Sequence, residues 1–284
     1  MRVIFRDFFD VSRGDTFRIV PLGDVHIGAR ACDEKRLRNV VQSIADDPNA
    51  YWIGMGDYCD FINPSDPRFS AGSLAKWITV GDFVDLAKAQ RERFNDIVAP
   101  IANKCLALVE GNHETAITRH YERHIYGEIV SGIKEAAGLD ANTKLAMGYG
   151  GYLILRFYRS AERKAQTTIK IKLHHGFVGG KLAGAKALNM QRMLVWNDCD
   201  IMLMGHSHNT GVQIEAVERV VGKKVMSVPR YGAYTGTFLA SYSNDAPATY
   251  SEVKGYFPMP VSGVEVLLRP GAKDIRQRIR VVTG

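Results

Sequence analysis

Asp24 and His26 stand one residue apart in Gly23-Asp24-Val25-His26, directly after the apolar run Phe17–Leu22. Two further apolar runs end in the same way, one in Gly56-Asp57-Tyr58-Cys59-Asp60 and the next in Gly111-Asn112-His113-Glu114. Later runs lead into His174-His175-Gly176 and Gly205-His206-Ser207-His208-Asn209. The chain has 8 histidines, and all but His120 and His124 lie in these clusters. A lone histidine is ordinarily a hydrogen-bonded structural residue. Six of them, at four of these five run ends and beside Asp and Asn, point to a shared metal site instead. Carboxylate, amide and imidazole donors without thiolate suit Mn²⁺, Fe, Zn²⁺ or Co²⁺ rather than a structural zinc site.

Such a site needs strands that deliver these tips to one place. Phe17–Leu22, Tyr51–Met55 and Cys105–Val109 read as strands, each stopped near a glycine that lets the backbone turn sharply. Asp33 reads as the cap of a helix with Leu37, Val40, Val41 and Ile44 on one face. A second helix is expected from about Asp82 to Ala102, with Phe94, Ile97, Val98 and Ile101 inward, and a long third from Thr115 to Ala137. Phe61–Val80, with two prolines and several serines and glycines, reads as a long loop over the strand ends. The second half is strand-rich: Tyr152–Tyr158, Thr167–Leu173, Ile201–Met204, Val212–Val217, Lys223–Val228, Val264–Leu268 and Ile275–Val282, with one helix at Ala183–Trp196. Alternating β and α followed by mostly β argues for two packed sheets with helices outside, within one domain spanning residues 1–284. Ligands of open α/β sheets collect beyond the carboxyl ends of the strands, where these tips would converge.

Composition narrows the setting. At 284 residues and 46% hydrophobic, the chain can bury a core without disulfide staples. Its 4 cysteines (Cys32, Cys59, Cys105, Cys199) form no CxxC pair and read as reduced thiols of a cytoplasmic protein. The start, MRVIFRDFFDVSRGD, interrupts its apolar residues with charge and lacks a signal-peptide core. No run approaches the roughly 18 apolar residues of a membrane span, so no membrane partner is expected. A net charge of +7 favours a polyanionic partner, nucleic acid first, although charge spread over the whole chain also serves solubility.

The ordered set DxH, GDxxD, GNHE, HG and GHxH resembles the calcineurin-like metallophosphoesterases, over Asp24 to His208. Each motif alone is weak; the five in order are specific. The resemblance implies a four-layer α/β/β/α sandwich of two mixed sheets flanked by helices. It also implies two divalent metal ions, with Mn²⁺ the first choice. Asp24, His26 and His208 would hold one; Asn112, His206 and one of His174 and His175 the other; Asp57 would bridge them. Two cations roughly 3.5–4 Å apart need a shared carboxylate to offset their repulsion, and they lower the pKa of water between them. His113 resembles the residue that contacts substrate and protonates the leaving oxygen, and Glu114 or Asp60 would orient neighbouring histidines. Strand alternation over Ile169, Ile171 and Leu173 favours His175 for the apolar side, with His174 left as the alternate.

Smaller signals carry less. Ser/Thr protein phosphatases of this superfamily have an arginine after GDxxD and another before GNHE; Phe61 and Glu110 stand there instead, which argues against that activity. Arg119 and Arg230 are candidate substrate contacts. His120 and His124, spaced i,i+4, read as a solvated helix face rather than a metal pair. Gly176–Lys181 reads equally as a phosphate cradle or a plain turn. Arg276, Arg278 and Arg280 alternate along the last expected strand, either tracking a nucleic-acid backbone or guarding a sheet edge. The expected activity is hydrolysis of phosphodiesters, with DNA or RNA favoured as substrate. A small-molecule or nucleotide pyrophosphohydrolase or phosphatase, and a non-catalytic metal-binding scaffold, are the alternatives.

Overall fold

The computed structural model describes residues 2–66, 68–160, 166–177, 182–242, 252, 255 and 257–284, with His120 and Gln166 described by backbone alone. The elements run β1 (Arg2–Phe8), β2 (Phe17–Leu22), α1 (Glu34–Asp46), β3 (Ala50–Gly54), α2 (Leu86–Val98) and β4 (Cys105–Leu108). Next come α3 (Asn112–Tyr121), α4 (Ile125–Ala136), β5 (Gly150–Tyr158), β6 (Gln166–His174) and α5 (Ala183–Trp196). The chain ends with β7 (Ile201–Met204), β8 (Thr210–Val221), β9 (Lys224–Thr237), β10 (Ser262–Leu268) and β11 (Ile279–Thr283).

Local chemistry sets the helix starts. The Asp33 carboxylate accepts the Arg36 N–H at 2.9 Å and opens α1, whose Leu37, Val41 and Ile44 are buried along one stripe. Asp85 does the same for α2 through the Lys88 N–H, and Phe94, Ile97 and Val98 turn inward. Strands β3, β4 and β7 are almost wholly apolar because helices cover one side and the opposing strands the other.

Strands pair in the order β1-β5-β6-β7-β9 and β10-β2-β3-β4, with β8 on β9 and β11 on β10. A short ladder, Ser262 to Thr237 and Gly263 to Gly236, joins β9 to β10, so pairing runs through 11 strands. The two halves share one core: Leu153, Leu155, Ile171, Leu203 and Ala233 of the first cluster with Ile19, Ile53, Met55, Ala107 and Val266 of the second. Helices α1, α2 and α4 pack outside the second half through Leu37, Phe94, Ile97, Ile129 and Ile133. Helix α5 covers the first half through Met190 and Leu194. The expected α/β/β/α sandwich is therefore present. Among the described residues, no helix is long and apolar enough to cross a membrane.

Three expectations need correction. The helix expected over Thr115–Ala137 is two helices, α3 and α4, parted at Glu122, which takes φ 52°. Arg123, just past the break, bonds Asp85 at 2.7 Å and Glu128 at 2.7 Å, and this bracing holds the corner. The strand expected to stop at Val228 continues as β9 to Thr237. Pro229 is tolerated because β9 there pairs with β8 alone, and pairing with β7 begins only at Tyr231. The arginine strand expected from Ile275 begins as a 3₁₀ turn at Ile275–Gln277, so the three arginines share no strand face. Arg276 pairs with Asp274 at 2.6 Å and Arg278 donates to the Ala272 carbonyl at 3.2 Å. Strand β1, pairing parallel with β5, was not expected at all.

Phe94 is fully buried where α2 meets the second half of the sheet. Phe94→Ala is expected to cost about 3–5 kcal/mol of unfolding free energy, read by urea titration with the m-value unchanged. A loss below about 1 kcal/mol would mean that this contact is not part of the core.

Candidate functional site

Five strand tips meet at one end of the sandwich. Strands β2, β3 and β4 run parallel in one half, and β6 and β7 run parallel in the other, so their carboxyl ends point the same way. The tips are bonded to one another. The Asp24 N–H donates to Gly56 O at 3.0 Å and the His26 N–H to Asp57 O at 3.1 Å. The His206 N–H crosses from the other half to the Asp24 carboxylate at 2.8 Å. To turn this tightly, five donor-type residues adopt left-handed backbone: Asp24 (φ 48°), His26 (55°), Asp57 (51°), His206 (63°) and His208 (54°). Each such non-glycine residue costs of order 1 kcal/mol or more and persists only where its surroundings enforce it.

Glu114 supplies much of that enforcement. Its carboxylate is fully buried and accepts the N–H groups of Asp57 at 3.0 Å, Tyr58 at 2.8 Å and Gly111 at 2.8 Å. It therefore orders backbone, whereas the sequence offered it as a residue that orients a histidine. Gly111 is fixed by space: a Cβ there would lie 2.2 Å from Asp57 Oδ1. Asp60 is the residue that orients imidazoles, its carbonyl meeting His113 Nδ1 and its Oδ1 lying 3.4 Å from His26 Nδ1. With Nδ1 of His113 so engaged, its Nε2 is the nitrogen left for a ligand.

The donor atoms form two neighbouring groups, Asp24 with His26 and His208, and Asp57 with His175 and His206, and a third group shares His26 with Asp60 and His113. In the first, His26 Nε2 and His208 Nε2 lie 3.2 Å apart, and His208 Nε2 is 3.5 Å from Asp24 Oδ1. In the second, His175 Nδ1 donates to Met55 O at 2.8 Å, which leaves Nε2 facing Asn112 Oδ1 at 2.9 Å. Asp57 Oδ2 lies between the groups, 3.4 Å from His175 Nε2 and 4.0 Å from His26 Nε2. Lone pairs of oxygen and imidazole nitrogen thus converge on shared points, an arrangement that fits a divalent cation. The four cysteines are free and stay outside these groups.

All of the sequence-identified donors Asp24, His26, Asp57, Asn112, His175, His206 and His208 come together, with His113 beside them at 4.7 Å between ring centroids from His26. His174 does not join: its Nδ1 accepts the Gly176 N–H at 2.9 Å, and it packs against Tyr149 and Phe177. Arg230 is also apart. It sits by Tyr231, opposite Ile201 at the start of β7, and donates to Leu194 O at 3.1 Å. Arg119 is exposed on α3, seven residues beyond Asn112 and so roughly 10 Å along the helix axis. The i,i+4 relation of His120 and His124 is lost at the helix break, and residues 178–181 of the glycine-rich segment lie outside the described residues. Two residues near the site were missed. Tyr149 meets the His175 ring edge-on at 5.3 Å, and Arg68, paired with Asp66 at 2.7 Å, acts electrostatically on His113. Neither lies in a motif; only an exposed aromatic and a lone arginine marked them.

The model of one protein family, described as calcineurin-like phosphoesterase, matches residues 17–210, more than half of the chain. The chain belongs to the calcineurin-like phosphoesterases. No curated protein sequence matches it. Among solved structures it is similar to Vps29 from Entamoeba histolytica complexed with Zn²⁺, at 12% identity and TM-score 0.39, covering 94% of this chain and 98% of that one. It is also similar to a metallophosphoesterase from Sphaerobacter thermophilus, at 13% identity and TM-score 0.37, covering 95% and 88%. A third is an NAD nucleotidase from Haemophilus influenzae, at 10% identity and TM-score 0.37, covering 94% and 49%. Scores this low carry no further argument. The family is one of metal-dependent hydrolases acting on phosphoesters, and this calcineurin-like phosphoesterase has candidate metal-ligand groups in place.

Charge in the site is tightly balanced. Burial pushes the Asp24 carboxyl up to about 8, against the pull of His175. Burial also raises Asp57, but His113 and His175 outweigh it and hold that carboxyl well below the ordinary range. Burial works against a charged His175, yet Asp57 and Asp24 hold the imidazole at about 10. Glu114 is raised to about 7 by burial and by Asp57.

Asp24, Glu114 and His175 all lie above their ordinary values, so the folded protein keeps protons that the unfolded chain has released. Their stabilisation is full at low pH and is lost as pH rises through about 7, 8 and 10. His174, His206 and His208 are lowered and act in the opposite sense, but only below their ordinary value of 6.5. The melting temperature of chelator-treated protein is therefore expected to fall between about pH 7 and about pH 9, and the increment given by Mn²⁺ to grow over that range. Calorimetry showing a flat or rising profile would contradict this balance. Glu114→Ala leaves three buried N–H groups without their acceptor, at about 1–3 kcal/mol each as an upper range. A drop of several degrees in melting temperature is expected, together with weaker Mn²⁺ binding by titration calorimetry; unchanged metal affinity would remove Glu114 from its organising role.

Proposed function

We propose that this protein hydrolyses phosphodiesters through a dinuclear metal centre and acts on DNA or RNA. The observation that carries the reading is the place of Asp57 Oδ2, between the His26 and His175 nitrogens of two donor groups. Asp24, His26 and His208 would hold one divalent cation, and Asn112, His175 and His206 the other, with Asp57 shared. When bound, two such cations supply positive charge to the phosphoryl oxygens and bring the pKa of water towards neutrality.

The chain's own residues do the rest. Asp24 and Asp57 place carboxyl oxygens where the cations would bind, and the Asp60 carbonyl fixes the ring of His113, with its carboxylate 3.4 Å from His26 Nδ1. His113 is raised above its ordinary value: burial lowers it, but Asp57 and Asp60 outweigh burial. That shift favours a proton on the imidazole, and Nε2 is the atom that would pass it to the departing oxygen. Phe61 and Glu110 stand where an arginine pair would grip a dianionic monoester, which supports the diester preference. The charge of +7 supports a polyanionic substrate.

The test is hydrolysis of bis-p-nitrophenyl phosphate, single-stranded DNA and double-stranded DNA, each with Mn²⁺, Fe²⁺, Zn²⁺ and Co²⁺. Asp57→Ala is expected to abolish turnover of all three. His113→Ala is expected to lower DNA cleavage by about 10²–10⁴-fold, and to matter less for p-nitrophenolate, which leaves without a proton. Turnover of the small diester alone would move the substrate to a small molecule. No turnover with any metal would leave a metal-binding scaffold as the better account.

A further inference from the structure

The rim of the site beside His175 is aromatic, and nothing in the hydrolytic machinery needs it to be. Tyr149 and Phe177 are 38% and 43% exposed. Both meet the ring of His174 edge-on, at 5.6 Å and 6.1 Å between centroids. Tyr149 also lies edge-on to His175 at 5.3 Å, the ring whose Nε2 faces Asn112 and Asp57. The arrangement is held from below. The Tyr149 carbonyl accepts the His175 N–H at 3.0 Å, and His174 is pinned through the Gly176 N–H at 2.9 Å.

We infer that Tyr149 and Phe177, braced by His174, form a stacking platform for the nucleobase attached to the reacting phosphate. The substrate is therefore a nucleotide ester whose base is unpaired. This rests on the phosphodiester reading above. A nucleotide places its base one sugar away from the phosphate, a reach comparable with the separation between the His175 and Tyr149 rings. Flat aromatic faces held at fixed angles bind bases with little loss of side-chain entropy, and any base offers a π-face to them. A base inside a duplex is already stacked and paired, so it reaches such a platform only from a single strand, a frayed end or a mononucleotide ester.

The test compares two p-nitrophenyl diesters with Mn²⁺, one esterified to the 5′-phosphate of thymidine and one to methyl phosphate. The ratio of their kcat/KM values reads the base and cancels effects on the metal site. Wild-type protein is expected to favour the thymidine ester by about 5- to 150-fold, the range of one stacked base. Tyr149→Ala and Phe177→Ala are each expected to shrink that ratio several-fold, mainly through KM of the thymidine ester, while Tyr149→Phe keeps it. A wild-type ratio near one, or a parallel loss on both esters in the variants, would overturn the platform while leaving the phosphodiesterase reading intact. If the protein turns over neither ester with any metal, the phosphodiesterase reading fails, and binding decides the platform. Calorimetry should then show thymidine 5′-monophosphate binding the Mn²⁺-loaded protein more tightly than inorganic phosphate, an advantage lost in Tyr149→Ala. Equal binding of the two would overturn it.

Discussion

Three backbone N–H groups, from two separate loops, converge on the buried carboxylate of Glu114. This acceptor ties the tip of β3 to the tip of β4 in surroundings where no water competes for the bonds. The tie is returned, because Asp57 Oδ1 on the β3 side accepts the His113 N–H at the start of α3 at 3.0 Å. Two carboxylates thus hold two loops to each other by opposite routes. One of them, Asp57, keeps its second oxygen turned to the imidazoles. The closeness of Gly111 to Asp57 is a condition of this arrangement, since any side chain there would part the loops.

The other half of the sandwich is fastened to this unit by fewer bonds and more packing. The His206 N–H reaches Asp24, and Thr237 Oγ1 donates to Asp24 O at 2.9 Å, so the tips of β7 and β9 both close on β2. Beneath them lies the shared apolar core of both halves, with Met55, Leu173 and Leu203 among its members. A donor group with members from both halves is therefore only as fixed as that core. The geometry of a few polar atoms rests on the close packing of many apolar ones.

Much of this was legible in the sequence, and for a definite reason. The tips of β2, β3, β4 and β7 carry glycine, Asp, Asn and His in fixed order, and the strands before them are apolar on both faces. Pattern and chemistry therefore coincide. The choice of His175 over His174 followed from alternation along β6, although Lys172 on the other face is buried too. What escaped notice was long-range or irregular. Strand β1 has three charged residues in seven, and only Ile4 is fully buried, so its pairing with β5 leaves little local trace. The break at Glu122 depends on partners 37 residues upstream and six downstream of it in the chain, at Asp85 and Glu128. Arg230 looked available because basic residues after a strand often are; its guanidinium is spent on the end of α5. Tyr149 and Arg68 could not be found by motif, because their nearness to the site is set by tertiary contacts.

The left-handed backbone at Asp24, His26, Asp57, His206 and His208 has a consequence for how such a chain can change with time. At each of these positions glycine would relieve the backbone, and at Asp24 it would also remove a buried carboxyl. Backbone strain alone would thus favour glycine at these positions, while the N–H groups that Asp24 and Asp57 accept oppose the exchange at those two. This chain retains every one of them. The residues that make the fold harder to maintain are the ones that give it something to do.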